Sequence, residues 1–286
     1  MFSSATSALI VEGGAMRGIF ASGVLDAFVE SHHYPFDFVM GVSAGATNLV
    51  SYLSEQPRRS HHIITELACS SDFLDPLRFV KGGDLVDVSW LWRTSRYRFP
   101  LDLDSFSACR IPFYAVTTEV ATGAAVYLPV HPDNMDEVLT ATCALPVVQH
   151  ETPCVDGRLM ADGGISDSIP VIEAYRRGAR RMTVVLSEPR GYRKKPARFC
   201  WMVKALLKTQ PALAQAMLVR DVAYNRALDF IETPPADCEI EVIAPPAGFP
   251  VSRFTRDPSK LESGYLQGYW QGRQSVLRAV RSVRAA

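Results

Sequence analysis

The sequence is short of several things at once. It carries no excess of charge: 30 Lys and Arg balance 30 Asp and Glu, for a formal net charge of zero. That argues against a dedicated nucleic-acid binder, which shows a basic excess. None of its six cysteines (Cys69, Cys109, Cys143, Cys154, Cys200, Cys238) forms a C-x-x-C pair. None of its six histidines (His32, His33, His61, His62, His131, His150) joins them at zinc-site spacing, so no metal is expected. A chain of 286 residues does not need disulfides, and the cysteines read as reduced thiols in apolar surroundings. Long hydrophobic runs are missing too. The most apolar long window, Ile111–Val130, contains Glu119, two prolines and a Thr-Gly turn, and so reads as strands rather than a membrane span. The opening residues lack a basic, signal-like start. The expected location is cytoplasmic, with contact at the inner face of the membrane left open.

What is present is ordinary globular material, 48% hydrophobic and 21% charged, enough to bury a real core. Ala8–Val11 is a short apolar run ending at Glu12-Gly13-Gly14. The stripe of apolar residues over Met16–Glu30 has helical spacing. Phe36–Met40 is a second short strand, and Ala46–Leu53 a second helix. Strand, helix, strand, helix favours a mostly parallel α/β sheet. Residues 72–103 read as loop with short helices. Phe113–Glu119 and Ala124–Leu128 make a hairpin around Thr122-Gly123. A helix follows over Asp133–Thr142, then another over Pro170–Gly178 and a strand at Met182–Leu186. Two helices near 199–208 and 212–231, a strand at Glu239–Ile243 and a helix over Leu261–Arg284 complete the chain.

Three segments carry chemistry. Gly41-Val42-Ser43-Ala44-Gly45 is a G-x-S-x-G pattern between a strand and a helix. A serine there projects from a tight turn at a helix N-terminus, whose field favours an oxyanion. Its base is not obvious. No histidine follows His150, His131 lies in a proline-flanked loop, and His61 and His62 read as solvated. His150, beside Glu151, is the one triad candidate. A carboxylate can also deprotonate a serine if held within hydrogen-bond reach, and Asp162-Gly163-Gly164 supplies one. The third segment, Glu12-Gly13-Gly14-Ala15-Met16-Arg17-Gly18, sets glycine-rich amides at a helix start, which makes a nest for an anion. It nearly matches a dinucleotide fingerprint with Asp37 as its acid. Asp37, however, precedes the second strand, and that fingerprint needs the acid at the strand's far end.

Taken together, the glycine-rich loop, the G-x-S-x-G and the later D-G-G resemble the patatin-like phospholipase family over residues 8 to 180. Ala141-Thr142-Cys143-Ala144-Leu145-Pro146 looks like that family's A-[ST]-x-A-x-P segment. The resemblance implies a three-layer α/β/α fold with a mostly parallel central sheet and a Ser–Asp dyad. In it Ser43 is the nucleophile, Asp162 the base, and the amides of Gly13, Gly14 and Ala15 the oxyanion hole. Arg17, Gly18, Gly41, Gly45, Gly163 and Gly164 support the motifs. No metal or cofactor is implied. The implied activity is hydrolysis of fatty-acyl esters of phospholipids or related lipids through an acyl-enzyme. Glu12 stands where Asp is usual, and Ala15 replaces a third glycine, a residue type that disfavours positive φ.

Residues 181–286 read as a strand-and-helix extension on the catalytic domain of residues 8–180. Arg176–Lys208 holds eleven Lys and Arg against Glu188 alone. This stretch could attract anionic headgroups and insert Phe199, Trp201, Met202, Leu206 and Leu207. The favoured reading is a solvated helix end, a loop and a stripe facing the core. The tail is amphipathic and is expected to pack on the core. The competing function is a catalytically silent, patatin-shaped protein that binds lipid or membrane. No nucleic-acid partner is expected.

Overall fold

A computed structural model describes residues 6–285 apart from Val147 and His150. Its centre is built by the first two apolar runs, β1 (Thr6–Val11) and β2 (Phe38–Val42). They pair in parallel, Leu9 opposite Val39. Leu9, Val11 and Val39 join one core, while Ala8, Ile10, Phe38 and Met40 join a second on the opposite face. A strand buried on both sides needs such a continuous run.

The remaining strands are β3 (Phe113–Glu119), β4 (Ala125–Pro129), β5 (Cys154–Val155), β6 (Arg158–Asp162), β7 (Ala179–Val185) and β8 (Glu239–Ile243). They form one sheet in the order β5-β6-β3-β2-β1-β7-β8, with β4 also on β3. Pairing is parallel from β3 through β2, β1 and β7 to β8. It is antiparallel where β4 and β6 meet β3 and where β5 meets β6. The helices are α1 (Gly18–Glu30), α2 (Ala44–Leu53), α3 (Arg59–His62), α4 (Pro76–Val80), α5 (Val88–Arg98), α6 (Leu103–Ala108), α7 (Met135–Thr142), α8 (Val171–Arg176), α9 (Cys200–Leu206), α10 (Pro211–Leu218), α11 (Arg220–Glu232) and α12 (Pro258–Ala285). Phe20 and Phe28 of α1, Leu49 of α2 and Val138 of α7 cover one face of the sheet. Val171 and Ala174 of α8 and Tyr224 and Leu228 of α11 cover the other. The fold is a three-layer α/β/α sandwich with a mostly parallel sheet. Among the described residues, no helix is long and apolar enough to cross a membrane.

The last helix lies along the first. Gly264, Gly268 and Gly272 of α12 recur every fourth residue, on one stripe of the helix. At Gly268 the approach is so close that a Cβ would sit 2.0 Å from the Phe20 carbonyl oxygen. One buried acid in this seam is doubly hydrogen-bonded. The Asp26 carboxylate accepts from the Arg58 amide and the Tyr265 hydroxyl, each at 2.9 Å.

Several sequence expectations need correction. His61 is buried, not solvated: its Nε2 meets Glu262 Oε2 at 2.7 Å and its ring packs on Tyr265, both brought by α12. The six cysteines are free, but Cys154 and Cys200 are exposed, while Cys69, Cys109 and Cys143 are half-buried and Cys238 is buried. The helix expected over 212–231 is two helices broken at Val219, which leaves Arg220 at the head of the second. The stripe expected to face the core at 199–207 mostly does not. Leu207 is buried, but Phe199, Trp201, Met202 and Leu206 are exposed.

Candidate active site

The site gathers at the C-terminal ends of the parallel strands, where open α/β sheets bind their ligands. β2 runs through Gly41 and Val42 into Ser43, and α2 begins at Ala44. Ser43 has φ 51° and ψ −125°, a strained backbone for a residue with a side chain. The turn is possible because Gly45 has no side chain: a Cβ there would lie 2.4 Å from the Val11 carbonyl oxygen. Gly41 is likewise covered by the backbone of Ala46.

The segment 141–146 joins the two reacting positions. Thr142 Oγ1 accepts the Ser43 amide at 2.9 Å and donates to the Val116 carbonyl. Two residues on, the Ala144 carbonyl accepts the Asp162 amide at 2.8 Å. Asp162 ends β6 opposite Thr117 of β3, next to Val116, which pairs with Val42 of β2. β3 thus holds Ser43 and Asp162 at one level on either side of it. Gly163 rests on the Val116 carbonyl, and the Gly164 amide donates to Asp162 Oδ1 at 2.7 Å.

Asp162 is 4% exposed. Burial pushes its carboxyl pKa up. Against this act the Arg220 guanidinium, the Ser43 hydroxyl as a side-chain hydrogen-bond partner, the Gly164 amide and Arg253. Cys143 also borders Ser43, and burial together with the Asp162 charge pushes its thiol pKa up. That keeps it a thiol rather than a nucleophilic thiolate.

The glycine-rich loop leaves β1 and passes directly over Ser43. A Cβ on Gly13 would be 3.1 Å from that of Ser43. Glu12 fixes the loop from below: its carboxylate accepts from the Ser187 amide at 2.6 Å and the Tyr224 hydroxyl at 2.9 Å. Arg17 forms an ion pair with Glu188 and donates to Ser187 at 3.2 Å, so it clamps the loop to the end of β7. The Gly18 carbonyl accepts from Asn48 of α2 at 2.7 Å. Among the described residues the amides of Gly13, Gly14 and Ala15 donate to nothing. Ala15 has φ 50°, the left-handed conformation that glycine adopts freely and alanine does not.

Two pockets meet at Ser43. One, about 140 Å³, is apolar, lined by Met16, Ile63, Ile64, Leu91, Trp92 and their neighbours. Phe73, Leu74, Val86 and Val88, from the stretch expected to be loop with short helices, form part of its wall. The other, about 100 Å³, runs over the glycine-rich loop and Asp162 to Lys194, Arg220 and Arg253. No described histidine lines either pocket. His150, the triad candidate, lies outside the described residues. Asp37 is used elsewhere, accepting the Ser7 amide at 2.7 Å across the starts of β1 and β2. No group of three His, Cys, Asp or Glu that could hold a metal occurs among the described residues. Lys194, Arg220 and Arg253 escaped the sequence reading because they stand far apart in the chain and match no local pattern.

Comparison with known proteins identifies the family. The family model for patatin-like phospholipase matches residues 9–175. A domain of unknown function, DUF6363, matches residues 210–282. Uncharacterized protein YjjU of Escherichia coli (strain K12) is 36% identical over 246 residues, covering 84% of this chain and 68% of its own length. An uncharacterized NTE family protein of Mycobacterium bovis is 41% identical over 63 residues, 21% of this chain and 16% of that protein. Among solved structures, VipD from Legionella pneumophila aligns with a TM-score of 0.43 at 14% identity, covering 95% of this chain and 66% of that one.

Proposed function

Because the chain belongs to the patatin-like phospholipase family, we propose that it is a serine acyl hydrolase that cleaves fatty-acyl esters through Ser43 and Asp162. The observation that carries this is their common anchoring: Thr142 holds Ser43 and Ala144 holds Asp162, beneath three undonated amides. Ser43 Oγ attacks the ester carbonyl and its proton passes to Asp162. The oxyanion is met by the amides of Gly13, Gly14 and Ala15. The C–O bond breaks as Asp162 returns the proton to the departing alcohol. Water then attacks the acyl-serine, giving its proton to Asp162, which passes it to Ser43 Oγ as the acyl–oxygen bond breaks and the fatty acid leaves. The apolar pocket suits the acyl chain. Arg220 helps to keep Asp162 ionised against burial, as a base requires.

The same reading includes transient contact with a bilayer. Phe199, Trp201, Met202 and Leu206 are exposed among the exposed cations Lys195, Arg198, Lys204 and Lys208. That pairing of apolar anchors with basic charge fits an anionic membrane surface. Leu207 packs with Ala161 and Ile165, tying this segment to the turn that carries Asp162.

A fluorophosphonate probe read by intact mass and peptide mapping tests the reading. One adduct on Ser43 is expected, absent in Ser43→Ala and slowed by roughly 10²-fold or more in Asp162→Asn. Anionic vesicles should speed hydrolysis of a lipid ester, and Trp201→Ser should remove most of that gain. A folded protein that takes no label and cleaves no ester in the presence of vesicles would instead be the silent lipid binder.

A further inference from the structure

The second pocket beside Ser43 is unlike the rest of the surface. Arginines elsewhere are commonly matched with carboxylates: Arg17 with Glu188, Arg180 with Asp237, Arg193 with Asp229 and Glu232, Arg278 with Glu241. Around this pocket, by contrast, Lys194, Arg220 and Arg253 form no ion pair among the described residues. Arg220 Nε is buried with no hydrogen-bond partner, and its Nη2 would lie 3.0 Å from a Cβ on Gly164. Arg220 and Lys194 are held by the elements that carry them. Arg220 is the first residue of α11. Asn225 of the same helix clasps the backbone of Lys194 by two hydrogen bonds, at 2.9 and 3.0 Å. The Lys194 ammonium then sits 4.3 Å from the centre of the Tyr224 ring.

The acids facing this cluster are already committed. Glu12 is bonded to Ser187 and Tyr224, and Asp162 to Gly164. Three cations facing only these two committed carboxylates leave positive charge in a confined space. Burial, with the neighbouring Arg220 and Arg253, pushes the Lys194 ammonium down to about 7, so a further anion here would relieve the cluster. All three cations lie outside the stretch matched by the patatin-like model, and Arg220 and Arg253 lie within the domain of unknown function.

We propose that this pocket binds a phosphate monoester carried on the alcohol portion of the substrate, while the acyl chain occupies the apolar pocket across Ser43. The proposal rests on the ester-hydrolase reading. Ser43, Ala15, Leu145, Arg253 and Phe254 line both pockets, so the scissile ester would lie at their junction. A compact dianion suits three converging cations in a small space better than a diester bearing a bulky headgroup, which spreads a single charge. The C-terminal region thereby sets which alcohol is accepted, while the family core performs the chemistry.

Three esters with the same medium acyl chain test this: an acylglycerol 3-phosphate, the acylglycerophosphocholine and the neutral monoacylglycerol. The phosphate monoester should show the highest kcat/KM, by at least about tenfold over either, roughly the worth of one charge-assisted hydrogen bond. In Lys194→Gln and in Arg253→Gln that ratio should fall about tenfold, mainly through KM. Equal turnover of the three esters, or an unchanged ratio in both variants, would overturn the subsite. Acceleration of the neutral ester by inorganic phosphate would mean a site for free anion, and would overturn it too. Calorimetry on Ser43→Ala keeps the two readings apart. Tighter binding of the phosphorylated lipid, lost in the added Arg220→Gln change, would uphold the subsite even if wild type hydrolysed nothing.

Discussion

The α1–α12 seam and the Ser43 turn are built by the same device and left in opposite states. In both, glycine lets one backbone lie directly on another: Gly268 on Phe20 in the seam, Gly45 on Val11 at the turn. In both, a carboxylate is buried and hydrogen-bonded: Asp26 accepts from the Arg58 amide and the Tyr265 hydroxyl, and Asp162 from the Gly164 amide with Ser43 as a side-chain partner. In the seam Asp26, the Arg58 amide and the Tyr265 hydroxyl have found one another. At the turn, among the described residues, amides donate to nothing, cations lack ion-pair partners and two non-glycine residues, Ala15 and Ser43, carry positive φ. Close packing alone therefore does not mark function. What marks the turn is packing that holds donors and charge open against a pocket, at a cost in strain.

The largest test of this comparison lies in the seam. Gly268→Ala adds one methyl to a helix interior, which on propensity alone should stabilise by about 1 kcal/mol. Here the methyl would meet the Phe20 carbonyl at 2.0 Å. A net loss of about 3 kcal/mol is expected in urea unfolding, since overpacked backbone cannot move aside cheaply. A neutral or stabilising result would mean that α12 can slide on α1.

The second test compares the two acids. Burial raises the Asp26 carboxyl from 3.8 to about 7, against the Arg58 amide and Tyr265 hydroxyl. A raised folded pKa means that the folded protein holds its proton longer than the unfolded chain. The stabilisation is then complete below about 4 and is lost as the pH climbs through 7. Asp26→Asn keeps an oxygen for both donors and does not titrate. Relative to that variant, wild type should lose on the order of 2 kcal/mol between pH 4 and pH 6, read from paired urea midpoints. A stability difference that stays flat with pH would show that Asp26 is already ionised in the fold.

Turn chemistry explains what the sequence disclosed. G-x-S-x-G, D-G-G and the glycine-rich loop are local patterns, so their residues met as expected once the parallel order of β1, β2 and β3 was formed. The flanking strands and the hairpin at Thr122-Gly123 were legible for the same reason. The second pocket was not, because its cations come from a loop, a helix start and another loop, none constrained by its neighbours in sequence. His61 misled in the same way: its burial depends on Glu262 and Tyr265, some two hundred residues on. The stripe of Gly264, Gly268 and Gly272 was a readable signal of close helix packing, and the amphipathic reading of the tail passed over it.

The smallest effect tests the strain itself. If φ 51° at Ser43 is held by the surrounding fold, its cost belongs to any residue with a Cβ. Ser43→Ala removes the hydroxyl and keeps that cost, whereas Ser43→Gly removes both. The glycine also adds freedom to the unfolded chain, which opposes the gain. A net advantage of about 1 kcal/mol for Ser43→Gly over Ser43→Ala is expected. Both variants lack the nucleophile, so neither should take the fluorophosphonate label and the comparison is one of stability alone. Equal urea midpoints would mean that the turn relaxes once the serine is gone, and that the serine's own contacts, rather than the packing of Gly45 on Val11, hold the strained shape.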